Sequence, residues 1–102
     1  MAAVLVLCLS AGCAMAQKGA LGNAYSAMRK GKFDVAIARL SRAESYTTPS
    51  RSMAAEISFL RAQCYELSGR PSEVIAIYTY TAEKFPETVH GAMARNVVKN
   101  FR

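Results

Sequence analysis

An internal repeat is the feature of this sequence that most constrains its fold. A segment beginning at Gly31 realigns on a segment beginning at Gly69, at a constant offset of 38 residues. The two segments read Gly31-Lys32-x-x-x-Ala36-Ile37-Ala38-x-Leu40 and Gly69-Arg70-x-x-x-Val74-Ile75-Ala76-x-Tyr78, and Ala24 falls on Ala62 at the same offset. Repetition with a period of about 20 to 50 residues is typical of stacked supersecondary units. The sequence therefore predicts two copies of one structural unit.

The spacing of apolar residues indicates that each unit is helical. After residue 17, apolar side chains recur every three or four positions, as on one face of an α-helix, and no alternating run is long enough for a pair of strands. Glycine and proline punctuate this pattern where helices should end or begin. We therefore expect an all-α fold with five helices, at about 18–30, 33–45, 52–68, 71–85 and 87–101.

The residue types within each unit resemble those of the tetratricopeptide repeat. That family places a small residue in its first helix, Gly at the turn, an aromatic residue soon after it, Ala and then a large apolar residue in its second helix, and Pro at the end. The first unit carries these features at Ala24, Gly31, Phe33, Ala36, Leu40, Ala43 and Pro49, and the second at Ala62, Tyr65, Gly69, Tyr78 and Pro86. The resemblance implies a TPR-like helical-hairpin solenoid, with repeats at about 18–49 and 52–86 and a C-terminal capping helix at 87–101.

The same resemblance implies a binding surface for a protein or peptide partner. In that family, ligands lie along the concave surface made by the first helix of each unit. The positions carried over to this chain are Leu21, Tyr25, Arg29, Glu56, Phe59, Gln63, Glu66, His90, Met93 and Val97. In so short a stack, Tyr25, Phe59 and Val97 can instead belong to the core, and both interpretations stay open.

The N-terminal residues 1–16 have the pattern of a signal peptide. The apolar run at 2–9 is shorter than the roughly 20 residues that span a bilayer, but it has the length of a secretory h-region. Ser10-Ala11-Gly12-Cys13 resembles the lipobox of bacterial lipoproteins, which implies cleavage before Cys13 and lipidation of its thiol as a membrane anchor. Ala14-Met15-Ala16 fits ordinary cleavage before Gln17. A third alternative is an uncleaved apolar helix in a cytosolic protein, and residues 17–102 form the expected mature domain.

The charged and reactive residues do not indicate an enzyme. The chain has 13 Lys and Arg against 7 Asp and Glu, a net charge of +6, and the cations are scattered apart from Arg29, Lys30 and Lys32 at a predicted helix end. No stacking array of aromatic and basic residues accompanies them, so we expect no nucleic acid partner. His90 is the single histidine, Cys64 has no base nearby in sequence, and the acids are spaced singly. We predict no metal, no cofactor and no catalysis.

Together these features predict a non-catalytic scaffold for protein–protein interactions at the bacterial cell envelope, either anchored to the outer membrane as a lipoprotein or periplasmic. The proline-initiated last helix also resembles the repeats of envelope lipoproteins. One alternative is a structural subunit that packs through its solenoid ends, because Val97, Val98 and Phe101 are apolar. Another is a small hydrolase, which would require Cys64 and His90 to meet in space.

Overall fold

The computed structural model describes the backbone of residues 2–101 and the side chains of residues 12–70 and 72–101. The backbone forms five α-helices, and no strand is present in the described residues. The predicted all-α class is therefore confirmed. The helices are α1 (Ala2–Arg29), α2 (Phe33–Tyr46), α3 (Arg51–Leu67), α4 (Pro71–Lys84) and α5 (Val89–Asn100).

The chain divides into two compact units, residues 1–48 and 49–102. In the first unit α1 packs against α2, and in the second α3, α4 and α5 pack pairwise against one another. The division falls before Pro49, the last residue of the first predicted repeat. Each unit therefore contains one helical hairpin, and the second unit adds α5.

The turns of the two hairpins have the same hydrogen bonds. Helix α1 ends at Gly31 (φ +73°), where the Gly31 N–H donates to Met28 O at 3.0 Å and the Lys32 N–H donates to Ala27 O at 2.9 Å. Helix α3 ends in the same kind of turn at Gly69 (φ +79°). There the Gly69 N–H donates to Glu66 O at 3.3 Å, and the Arg70 N–H donates to Tyr65 O at 2.9 Å. This pair of bonds defines a Schellman motif, in which a left-handed glycine satisfies the last carbonyls of a helix. The repeat seen in the sequence is thus a repeat of backbone geometry.

Burial follows the same offset of 38 residues. Of the eight buried residues described in α1 and α2, seven match buried residues of α3 and α4, and the exception is Ala27, whose counterpart Tyr65 is half-buried. The pairs are Gln17 and Ala55, Ala20 and Ser58, Leu21 and Phe59, Ala24 and Ala62, Ala36 and Val74, Leu40 and Tyr78, and Ala43 and Thr81. Both hairpins therefore use the same helix faces, and small residues at Ala24 and Ala62 permit close approach of the paired helices.

Helix α1 starts earlier than the sequence pattern predicted. We expected a start near Lys18, whereas the helix runs without a break from Ala2. Residues 2–17 contain no proline and are rich in Ala and Leu, which are strong helix formers, so the sequence is compatible with a continuous helix there. The side chains of 1–11, which include the predicted h-region, lie outside the described residues.

Gln17 ties α1 to the end of α2. Its side chain is 5% exposed, and Nε2 donates to the backbone oxygens of Ala43 at 3.1 Å and Thr47 at 2.9 Å. These are carbonyls near a helix C-terminus, where intrahelical partners run out. The Gln17 side-chain amide therefore uses both of its hydrogens in hydrogen bonds, and these bonds supply donors to two carbonyl groups near the end of α2.

Helix α5 starts later than predicted, at Val89 rather than Glu87. The Thr88 hydroxyl accepts from the Gly91 N–H at 2.9 Å and donates to Phe85 O at 2.8 Å, so Thr88 is the N-cap. Gly91 is needed here, because a Cβ at this position would lie 1.7 Å from Phe85 O. The missing side chain lets the first turn of α5 pack against the end of α4.

Candidate functional site

The predicted partner-binding residues of the first unit lie on α1, and only part of this set is accessible. Leu21 is buried, at 9% exposure, Tyr25 is half-buried and Arg29 is exposed. Leu21 matches Phe59 of the second unit in both position and burial. Little of the Leu21 side chain is therefore accessible, and its assignment to a partner surface stays a prediction.

In the second unit, α3 and α5 bring together several of the predicted residues. The rings of Phe59 and His90 lie 5.5 Å apart between centroids, which shows that the two helix faces meet. Phe59 is only 4% exposed and also contacts Tyr78 edge-to-face at 5.3 Å. Phe59 is thus a core residue, so the groove interpretation of this position is wrong and the core alternative is right.

Around this contact, a partly exposed surface remains. Glu56 and Gln63 lie on the same face of α3 as Phe59, and Met93 lies on the same face of α5 as His90, by the three- and four-residue spacing of a helix. Glu56, Gln63 and His90 are half-buried, and Met93 is 41% exposed. We call Glu56, Gln63, His90 and Met93 the α3–α5 surface. Val97, the remaining predicted residue of α5, packs half-buried against the core.

Glu66 has a partner within the fold. Tyr78 is only 2% exposed. Burial, followed by the charge of Glu66 and a hydrogen bond with it, raises the pKa of Tyr78 to about 12. The exposed carboxylate of Glu66 therefore forms a hydrogen bond with the hydroxyl group of the buried Tyr78 side chain. Its assignment to a partner surface stays a prediction.

The cysteines differ in their surroundings. Cys64 is a free, fully buried thiol, and burial raises its pKa while the charge of Arg61 acts in the opposite direction. A raised pKa favours the neutral thiol, which is a poor nucleophile. Cys13, the predicted lipidation site, is a free and half-buried thiol on α1. Within residues 12–70 and 72–101, no three His, Cys, Asp or Glu side chains are grouped closely enough to hold a metal ion.

The sequence pattern did not single out a basic surface of the first unit. Two adjoining depressions, of about 270 and 510 Å³, share Val35 and Arg39 as lining residues. Lys30 and Lys32 line the smaller depression and Arg42 the larger one. We call these five residues the basic surface. The spacing of positions 35, 39 and 42 along one helix face was the signal available in the sequence.

Comparisons with protein-family models, with curated proteins and with solved structures found no match to this chain. Within the part of the chain that the structure describes, no helix combines the length and the apolar character needed to cross a membrane.

Proposed function

We propose that this chain is a non-catalytic, TPR-like scaffold of the bacterial cell envelope that binds a peptide segment of a partner protein on its α3–α5 surface. One observation carries this proposal, namely that two hairpins share a glycine turn, a set of buried positions and an offset of 38 residues. Repeat proteins built from helical hairpins use extended surfaces to bind other proteins.

The chemistry of the α3–α5 surface is compatible with peptide binding. Met93 offers a flexible apolar side chain, and methionine adapts its shape to varied partners. Gln63 and His90 add half-buried groups that can accept or donate hydrogen bonds on the same surface. A peptide with one apolar side chain flanked by polar groups would match this arrangement.

The envelope location rests on the N-terminal segment. The apolar run at 2–9 and the lipobox-like Cys13 support export and lipidation. Intact-mass measurement of the full chain expressed in a bacterial host tests this, with Cys13→Ser as the matched variant. A chain that begins at an acylated Cys13 in the wild type only would support the lipoprotein. A chain beginning at Gln17 would support a periplasmic protein, and retention of Met1 would overturn export.

Site-specific crosslinking tests the partner surface. A photoreactive amino acid at Met93 should crosslink a partner in the host's envelope fraction, whereas the same group at Ala92, an exposed neighbour on a different side of α5, should not. The Gln63→Arg substitution in the crosslinking chain should lower the yield. Equal yields at positions 93 and 92 would show that the α3–α5 surface is not the binding site.

A structural subunit is the second candidate, and the exposed apolar residues of α5 favour it. Val89, the first residue of α5, is 70% exposed, and Phe101, which follows its last residue, is 54% exposed. If these residues pack on another copy, sedimentation should show concentration-dependent association that the Val89→Glu/Phe101→Glu variant abolishes. A monomer at all concentrations would count against self-packing.

A further inference from the structure

The basic surface has a composition that is particular to the first unit. At the offset of 38 residues, its members Lys30, Lys32, Val35, Arg39 and Arg42 correspond to Ser68, Arg70, Glu73, Ile77 and Tyr80. The first unit thus has four cations where the second has one cation and one carboxylate, although both hairpins share the turn geometry and seven matched buried positions. The hairpin therefore does not need these cations in order to fold.

We propose that the basic surface binds an acidic peptide segment of a partner protein. Lys30, Lys32 and Arg39 line the smaller depression together with Asn23 and Ser26, so several donors converge on a space of about 270 Å³. The planar guanidinium of an arginine can donate two parallel hydrogen bonds to one carboxylate, and lysines add point charges. These groups suit the carboxylates of Asp and Glu side chains.

The larger depression adds an apolar contact. Val35 is 44% exposed, and it lies next to the exposed Ala38 in a space of about 510 Å³. A small aliphatic side chain of the ligand would cover both residues and remove apolar area from water. Asp34 lines this depression and, among the described residues, no acidic residue lines the smaller one, so the carboxylates of the ligand are assigned to the smaller depression.

The lining residues favour a peptide over the other polyanions. Nucleic acid bound as a single strand needs aromatic side chains for base stacking, and none lines either depression. Insertion into an anionic membrane surface needs large apolar side chains such as Trp, Phe or Leu, whereas Val35 and alanines are the apolar residues here. An acidic peptide needs only positive charge beside a small apolar patch, and the basic surface has both.

The test is fluorescence anisotropy with a labelled synthetic peptide of alternating Glu and Leu residues and a matched peptide carrying Gln in place of Glu. The full chain should bind the Glu peptide only, and binding should weaken as salt is added. The Lys30→Gln/Lys32→Gln/Arg39→Gln variant should bind roughly tenfold more weakly, as expected for three partly exposed charge contacts. The variant Lys18→Gln/Arg95→Gln/Lys99→Gln loses the same charge from other exposed positions and should bind like the wild type.

Several outcomes would overturn the proposal. These are absence of binding, equal weakening by the two triple variants, and displacement of the peptide by inorganic phosphate or by anionic phospholipid vesicles at lower concentrations than by unlabelled Glu peptide. Amide chemical shifts of the wild-type chain give a measurement that does not depend on any variant. Addition of the Glu peptide should shift the signals of Gly31, Lys32 and Val35, and shifts confined to other residues would contradict it. The basic surface shares no residue with the α3–α5 surface, so either proposal can fail without the other.

Discussion

The hydroxyl groups of Ser58 and Thr81 lie 2.5 Å apart inside the second unit. The matched positions of the first unit are Ala20 and Ala43, which are buried as well. Because the Thr81 hydroxyl donates its own hydrogen to Ile77 O at 2.8 Å, Ser58 is the donor to Thr81. The second hairpin therefore has a polar pair where the first has an apolar one.

This relationship predicts unequal effects of removing the two hydroxyls. Thr81→Val should lower the free energy of unfolding by about 1–3 kcal/mol, because it leaves the buried Ser58 hydroxyl without its acceptor. Ser58→Ala should cost less, about 0.5–1.5 kcal/mol, because Thr81 keeps its bond to Ile77. The double variant should cost less than the two single costs added together, as measured by urea unfolding. Simple additivity would show that the two hydroxyls do not interact.

The two turn glycines should respond alike to substitution. Gly31→Ala and Gly69→Ala should each destabilise their hairpin by about 1–2 kcal/mol, because an L-residue is strained at positive φ even in open space. Gly22→Ala is the control, since Gly22 is exposed within α1 and a Cβ there meets no atom within 4 Å. It should stabilise the chain by about 0.5–1 kcal/mol. A stabilising effect at Gly31 or Gly69 in thermal unfolding would contradict the left-handed geometry.

Gly91 should tolerate alanine poorly for a different reason. Its added Cβ would meet a backbone oxygen, that of Phe85, and not a flexible side chain, so α5 must move away from the end of α4. We expect Gly91→Ala to lower the free energy of unfolding by about 1–3 kcal/mol. Chemical denaturation of this variant should be compared with Gly19→Ala, where no atom lies within 4 Å of the added Cβ. If both variants unfold at the same denaturant concentration, the close approach is not present in solution.

The ion pair between Arg51 and Glu87 predicts an acid-dependent loss of stability. The hydrogen bond from Arg51 lowers the pKa of Glu87. This contribution is present above the pKa of an unfolded glutamate, about 4.3, and is lost as the pH falls through the lower folded value. The effect should be small, because the side chains are 58% and 55% exposed.

The comparison is between the wild type and Glu87→Gln, with thermal unfolding followed from about pH 6 to about pH 3. The wild type should lose more stability over this range than Glu87→Gln does. Glu83→Gln removes an exposed glutamate of α4 and should keep the wild-type dependence. The same pH dependence in wild type and Glu87→Gln would exclude a contribution from the pair.

Tyr78 predicts a loss of stability at the opposite end of the pH range. Because its pKa is raised to about 12, its contribution is complete below the unfolded tyrosine value of about 10 and is lost as the pH rises toward 12. Phenolate absorbance should show an ionisation near pH 12 in the wild type that is missing in Tyr78→Phe. Tyr80→Phe should keep this ionisation, since it leaves the buried Tyr78 hydroxyl in place and removes one from a ring that is 48% exposed. If the ionisation near pH 12 were still present in Tyr78→Phe, it would belong to another group.

The sequence was most informative where one residue fixes the backbone. Gly31 and Gly69 end helices because they alone reach positive φ without strain, and Pro71 starts α4 because its missing N–H is not needed there. The starts of α1 and α5 were predicted less well. No helix-breaking residue marks the first, and the second depends on a hydrogen bond of Thr88 that spacing alone does not reveal.

The candidate surfaces were harder to predict, because the burial of a residue depends on which helix covers it. Phe59 and Met93 both lie on apolar helix faces, yet the first is 4% exposed and the second 41%. Sequence periodicity gives the face of a helix but not the depth of a position on it. The basic surface was missed because Arg39 lies on α2 and Lys30 in the turn after α1, and the two line one depression only in the folded hairpin.

The matched turns have a consequence for tracing distant kinship. Residues 27–33 and 65–71 adopt one backbone path while sharing a single identical amino acid, the glycine. The hydrogen bonds that define this backbone path are all made by main-chain atoms. Substitutions can therefore change every residue of such a segment except the glycine and leave its backbone path unchanged. A relationship between such segments is therefore easier to detect from the positions of the turn glycines and the spacing between them than from amino-acid identity.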